Sequence, residues 1–413
     1  MALPDLTRIR RRFASERLAD AAGAVRAELG RCGVRIPAGA EIAIALGSRG
    51  IANLVEVVRE TAAWVKEQGG RPFIAPAMGS HGGATAEGQR KVIEKYGVTE
   101  AAVGAPIRSS MAVVELERGD AGVPVYFDAE AARAHGTIVV NRIKPHTSFH
   151  GRYESGLMKM MAIGLGKHEQ AKAIHQFGVE GLREIMPRVA KQVLRQGRIL
   201  LGVALVENAY DQTMLVRAMP AGAIADEEPA LLETARANMP GLPIEDIDVL
   251  VVDEMGKNIS GLGIDPNVIG RLRIRGQPEP GSPRIAIIVV RSLTAESQGN
   301  AIGVGLADVI TRRLFAKIDL ATTYENVLTS TFTERAKIPL IAETDRQAME
   351  FALQALRGAE ATNLRVVRIR NTLRLDELLV STTVLAGIRE RPDVEVLGPA
   401  GPWFDGAGAM ANV

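Results

Sequence analysis

Four of the chain's six histidines, His146, His150, His168 and His175, fall between Asn141 and Gln176. Imidazole changes charge near neutral pH, so it serves as acid, base or, when neutral, metal ligand. The same stretch places Lys159 in an apolar run, Leu157-Met158-Lys159-Met160-Met161. An ammonium among methionines is costly to bury unless it is neutral, paired or covalently used; a lysine snorkelling from a surface helix is the alternative. If residues 169–177 are helical, His168, Lys172 and His175 share one face. No HExxH motif or acidic cluster completes a familiar zinc site. Local pattern alone therefore describes a histidine-lined site able to take a metal.

Two loops nearer the N-terminus carry similar chemistry. Ser48-Arg49-Gly50 is expected to turn into a helix, offering backbone N–H groups, a hydroxyl and a guanidinium to a phosphate or carboxylate. A plain helix cap with an exposed arginine is the alternative. His81 lies in Gly79-Ser80-His81-Gly82-Gly83, where glycines let the backbone come close to a partner.

The elements that must position these residues read as short Ile/Val-rich strands alternating with amphipathic helices. Strands are expected at 41–46, 71–75, 123–127, 137–140, 199–206, 247–252, 285–290 and 364–369. Helices are expected at 53–67, 85–96, 180–195, 305–315 and 346–357. Alternation of this kind predicts an α/β fold of mostly parallel sheets flanked by helices. Ligands in such folds gather beyond the carboxyl ends of strands. Ser48 and Arg49, His81, Asn141 with Lys144 and His146, Glu207 with Asn208, and Asp253 with Glu254 and Lys257 all follow strands in that way.

A length of 413 residues exceeds one ordinary core. Asn238-Met-Pro-Gly-Leu-Pro243 marks the boundary, so residues 1–240 and 245–395 are expected as two domains. The active site is expected in the cleft between them, and the Gly/Pro-rich tail, 396–413, to fold back or stay mobile. Basic and acidic residues number 50 and 48, and aromatics make up 4%, which argues against a nucleic-acid partner. Arg10, Arg11 and Arg12 alone cluster, and are expected as a solvated arm. Cys32 is the single cysteine, which rules out an intrachain disulfide and suggests reducing cytoplasm. Met1 to Asp20 shows no signal-peptide core, and no apolar run is long enough to span a membrane.

Through most of its length, in motif order, the chain resembles the lactate racemase family, nickel-pincer-nucleotide enzymes that racemise or epimerise 2-hydroxy acids. In that family a lysine is joined to the cofactor, and a histidine sixteen residues later ligates nickel. Lys159 and His175 stand sixteen apart, separated at first by Met-Met-Ala-Ile-Gly-Leu-Gly, which is similar to the family's turn. Ala77-Met78-Gly79-Ser80-His81 resembles the loop of one acid/base histidine, and Lys144-Pro145-His146 the position of the other. Ser48-Arg49-Gly50 is similar to a phosphate-binding Thr-Arg-Pro turn, and Asp265-Pro266-Asn267 to an Asp-x-Asn motif of the second domain.

The resemblance implies a cofactor held by Lys159, Ser48 and Arg49, nickel held by His175, and acid/base work by His81 and His146. It implies substrate contacts from Arg273, Lys257, Lys144 and Asn267, and a dependence on the enzymes that make the cofactor. Departures are Ser48 for Thr, Gly50 for Pro and Ile269-Gly270 for a Tyr-Gln pair. About three extra residues before Lys159 also leave His150 as a rival to His146. The residues alone leave two further readings open. One is a small-ligand-binding α/β protein without catalysis; the other is a metal-dependent hydrolase or lyase using Glu154, Asp253 or Glu254.

Overall fold

The computed structural model describes residues 3–48, 50–196, 198–356 and 360–411. They form two compact units, Ala14–Met239 and a discontinuous one, Met1–Phe13 with Pro240–Val413.

The chain opens with strand β1 (Leu6–Arg11), which joins the second unit. In the first unit follow β2 (Glu41–Leu46), β3 (Arg71–Pro76), β4 (Val113–Leu116), β5 (Val125–Asp128), β6 (Gly136–Arg142), β7 (Ile199–Glu207) and β8 (Thr213–Pro220). Five of them form one sheet in the order β3-β2-β6-β7-β8. The first four run parallel, and β8 closes the edge as an antiparallel partner of β7. A parallel sheet is covered on both faces, so its strands are apolar throughout. Ile42, Ala43, Ile44, Ala45 and Leu46 are accordingly all inaccessible.

Helix Leu54–Glu67 covers one face because Leu54, Val57, Val58, Thr61, Ala62 and Val65 recur at helical spacing and are buried. With Val25 and Leu29 of helix Ala21–Arg31 they complete a core on Ile42, Ile44, Leu46, Ile138 and Val203. Each such side chain, fully buried, contributes about 1.5–3 kcal/mol.

The second unit contains β9 (Asp246–Val252), β10 (Arg284–Val290), β11 (Val309–Thr311), β12 (Leu340–Ala342), β13 (Val366–Asn371), β14 (Arg374–Ser381) and β15 (Val394–Pro399). With β1 they build one sheet in the order β12-β11-β10-β9-β13-β14-β1-β15. It is parallel from β12 to β13 and antiparallel from there to β15. The α/β architecture of mostly parallel sheets flanked by helices is thus observed in both units.

Three local expectations change. Residues 3–13 do not join the N-terminal unit. Leu6 and Ile9 are buried, and β1 fills the gap between β14 and β15. Nor is the arginine cluster a solvated arm: Arg10 pairs with Glu377 at 2.6 Å, Arg11 with Asp393 at 2.9 Å and Arg12 with Glu395 at 2.9 Å. Residues 305–315 are not one helix, because the β-branched run Val309-Ile310-Thr311 pairs as β11 between β10 and β12. The tail folds back: Trp403 Nε1 donates to Pro4 O at 2.7 Å, and Met410 N donates to Asp345 at 2.9 Å.

Candidate active site

Because β3, β2, β6 and β7 are parallel neighbours in register, their carboxyl ends form one edge of the sheet. Ser48, His81, the loop carrying His146, and Glu207 all follow from that edge.

The His146 loop leaves β6 at Asn141, whose Nδ2 donates to Gly156 O at 3.0 Å. Lys144 and Ser155 pair through their backbones and close the loop. Glu154, 1% exposed, organises the inside. It accepts the His146 N–H at 2.6 Å and the Gly151 N–H at 3.0 Å, faces His150 Nδ1 at 3.2 Å, and pairs with Arg236. Burial by itself would raise its carboxyl, but the hydrogen bonds from His150, His146 and Gly151 outweigh it and hold the group below the usual range. His150 is therefore tied to Glu154, whereas His146 turns its ring elsewhere.

That ring meets Lys159. Nε2 of His146 lies 2.5 Å from Lys159 Nζ, and its Nδ1 accepts the Ser148 N–H at 3.0 Å. With Nδ1 serving as acceptor, a neutral ring carries its proton on Nε2. Lys159 Nζ is therefore held in hydrogen-bond contact with the second ring nitrogen. Phe149 packs against the imidazole with centroids 4.6 Å apart.

Lys159 ends a helical turn, Leu157–Lys159, that continues as a π-helical turn, Met160–Gly164. Such turns are rare and concentrate at functional sites. Glu228, buried in helix Ala221–Ala237, accepts the Met158 N–H at 2.9 Å and so caps this segment. Burial pushes its carboxyl up to about 7 against the hydrogen bonds from Met158 and Leu157.

His175 is the last residue of helix Lys167–His175. Although part of it reaches solvent, enclosure of the ring lowers it to about 4, with Lys159 adding to the shift in its charged form. Its imidazole is therefore neutral at pH 7 and able to ligate a metal. On the same helix, His168 Nδ1 is buried with no hydrogen-bond partner among the described residues, and Lys172 pairs with Glu169 at 3.4 Å.

Ser48 Oγ is hydrogen-bonded to His81 Nδ1, so the hydroxyl expected to meet a phosphate instead orients a ring. Arg49 lies outside the described residues. The turn also does not run straight into the helix, which begins at Leu54 after a left-handed Asn53. The Ala52 N–H is taken by Glu207 Oε1 at 2.7 Å, and Arg142 pairs with that carboxylate.

No family model matches this sequence, and no curated protein matches it. A solved racemase structure is similar to it. The lactate racemase apoprotein from Thermoanaerobacterium thermosaccharolyticum aligns at 11% identity with a TM-score of 0.49, covering 85% of this chain and 92% of that one.

The remaining expected contacts belong to the second unit. Lys257 Nζ donates to Gly261 O at 2.8 Å and to Asn326 Oδ1 at 3.0 Å. Asn267 Nδ2 donates at 2.9 Å to Asp265, which caps helix Pro266–Ile269. Arg273 has a left-handed φ of 49° and reaches Asp308 at 3.4 Å. Asp253 is buried between Arg291 and Arg368 at 2.6 and 2.9 Å, and Glu254 pairs with Arg370 at 3.1 Å. The carboxylates of the hydrolase reading thus serve as ion-pair partners. The residues that reading the sequence missed are Glu228, Gln89, Lys167 and Asp128. Nothing in their local pattern announces them, apart from an ammonium at Lys167 amid glycines and apolar residues.

Proposed function

We propose that this chain is a racemase or epimerase that inverts C2 of a 2-hydroxy acid, with a nickel-pincer nucleotide joined to Lys159 and His175 as the protein's nickel ligand. The observation that carries the reading is the Lys159–His146 pair, because it sets a base directly against the lysine that would form the covalent bond. The other residues suit such a group. His175 offers a neutral imidazole sixteen positions on. Among the described residues no group of three or more His, Cys, Asp or Glu could hold a metal unaided. In this reading the metal therefore arrives with donors of its own.

When bound, the group supplies a reversible hydride acceptor for C2 of the substrate, so that inversion passes through a planar 2-keto acid. Everything else falls to the chain. His81, oriented by Ser48 through Nδ1, and His146 stand as the acid/base pair for the hydroxyl proton, one for each face of the planar carbon. Once Lys159 is committed to a bond, His146 Nε2 turns to proton exchange with the site. Glu154 holds the His146 loop and keeps His150 aside, which favours His146 for the role. Met160, Met161 and Phe149, all buried, would exclude water. Lys144 is the proposed carboxylate contact of this unit, and Arg49 the proposed phosphate contact.

The test is intact mass and nickel content after co-expression with the cofactor-making enzymes, followed by racemisation assays on a panel of chiral 2-hydroxy acids. We expect added mass on Lys159, bound nickel, and loss of both in Lys159→Ala. Absence of added mass and of nickel in the wild-type protein would remove the proposal.

A further inference from the structure

We propose that Lys167 and Gln89 are positioning residues, forming a buried strap that fixes the His81 loop against the helix ending in His175. The inference rests on the racemase reading for the catalytic role of His81, but not for the strap itself.

The loop needs external restraint. Gly79, Gly82, Gly83 and Ala84 all have left-handed φ, at 60°, 67°, 65° and 52°. Glycine-rich backbone of this kind has little stiffness of its own. One such restraint is the Gln89 carboxamide, which is wholly inaccessible. Nε2 of Gln89 donates to Gly79 O at 2.8 Å and to His81 O at 3.3 Å, on either side of Ser80.

A carboxamide can turn over, exchanging donor and acceptor, unless its neighbours dictate its sense. Lys167 dictates it. Its ammonium lies 3.4 Å from Gln89 Oε1, so the NH2 group must face the loop carbonyls. The same ammonium donates to Pro76 O, where β3 ends and the loop begins. It also pairs with Asp128 Oδ2 at 2.8 Å, with both side chains inaccessible. Asp128 is itself fixed by the Ala131 N–H at 2.9 Å.

Lys167 meets two unfavourable conditions at once, a buried charge and a left-handed φ of 54°. Methionine would fill the space without the charge, and glycine would accept the φ without strain. Neither would orient Gln89. Lys167 is also the first residue of the helix whose last is His175. One ammonium thereby ties together the end of β3, the His81 loop and the His175 helix. A second contact runs alongside: Gly79 N donates to Gly164 O at 3.3 Å, in the turn that follows Lys159.

The experiment compares wild type, Gln89→Glu and Gln89→Leu, with Ile9→Val in the other unit as a control for general destabilisation. Glutamate at 89 keeps the volume and strengthens the contact with Lys167, so the fold is retained, but its carboxylate has no N–H for the two carbonyls. Leucine removes both polar ends and guards against a failure of the glutamate variant to fold. The first readout is the ring resonance of His81 in the apoprotein, by NMR with labelled histidine. We expect it to shift and broaden in both Gln89 variants, while His175 and the Ile9→Val spectrum stay as in wild type. The second readout is turnover of the loaded enzyme, where kcat should fall on the order of 10²-fold, with KM nearly unchanged. An unaltered His81 resonance in the Gln89 variants overturns the strap, as does an altered resonance with unaltered kcat. If the resonance moves and wild type turns over no hydroxy acid, the strap stands and the racemase reading falls.

Discussion

Lys159 Nζ and His146 Nε2 are 2.5 Å apart while the Ser148 N–H occupies the other ring nitrogen, so the lysine lies directly against a base. An ordinary lysine, with a pKa of about 10.4, is almost wholly charged at neutral pH and reacts slowly with electrophiles. Competitive acetylation of the apoprotein at pH 7, read by mass spectrometry, should modify Lys159 ahead of the more exposed Lys172. In His146→Ala the order should reverse, because the base that can take the lysine's proton is gone. Unchanged reactivity of Lys159 in that variant would falsify this role of His146.

His175 is lowered from 6.5 to about 4, chiefly by burial. The unfolded chain therefore binds a proton between those values that the folded chain does not. Stability from this group is present above about 6.5 and is lost as pH falls toward 4. In the apoprotein the His175 ring resonance should stay flat from pH 8 to about 5. His175→Gln should lessen the acid sensitivity of Tm in that window. A resonance titrating near 6.5 would contradict the neutral, ligand-ready ring.

Glu228 has the opposite sign. Its folded value, about 7, lies above the ordinary 4.5, so the folded chain holds the proton more tightly and stability declines as pH rises between the two. Glu228→Gln removes the titration while keeping an acceptor for the Met158 N–H. Its Tm relative to wild type should increase from pH 4.5 to 7 and then level off, as measured by calorimetry across that range. A difference in Tm independent of pH would mean that the carboxyl titrates elsewhere.

Strand β1 holds its sheet by burial more than by charge. Ile9 is fully inaccessible, so Ile9→Ala should cost about 2–5 kcal/mol in denaturant unfolding of the second unit. Arg12 is 69% exposed, so Arg12→Ala should change stability by less than about 1 kcal/mol despite its pair with Glu395. Equal effects of the two would place the strand's contribution in its ion pairs.

A His81→Ala variant of the loaded enzyme should lose racemisation by about 10²–10⁴-fold while retaining the mass on Lys159 and its nickel. Full activity in that variant would leave the cofactor assignment intact and remove the two-base scheme.

Much of the fold could be read from the sequence because the strands concerned are buried on both faces. Residues 41–46 and 199–206, for example, are continuous runs of Ile, Val, Leu and Ala, with one Gly and a leading Glu, and they appear as β2 and β7. Strands whose identity comes from a partner were not legible. β1 is dense in arginine and looks solvated until acidic residues of β14 and of the β15 end of the chain, more than 360 positions away, meet it. β11 is only three residues long and lies within a helical pattern.

The same division runs through the candidate site. By itself the sequence determined which residue types could carry chemistry and that they follow strand ends, because residue type and apolar run length are local properties. It also set the sixteen-residue step from Lys159 to His175. Only the tertiary structure decided the partnerships: Ser48 with His81, His146 rather than His150 with Lys159, Glu228 beneath the Lys159 turn, and Lys167 with Gln89 and Asp128. Each joins residues separated by anything from 13 to 78 positions, and each depends on strand order and on hydrogen-bond direction. A chain's residue types do not specify which carbonyl or ring nitrogen a buried side chain will find. The folded interior does, because a polar group left there without a partner costs about 1–3 kcal/mol.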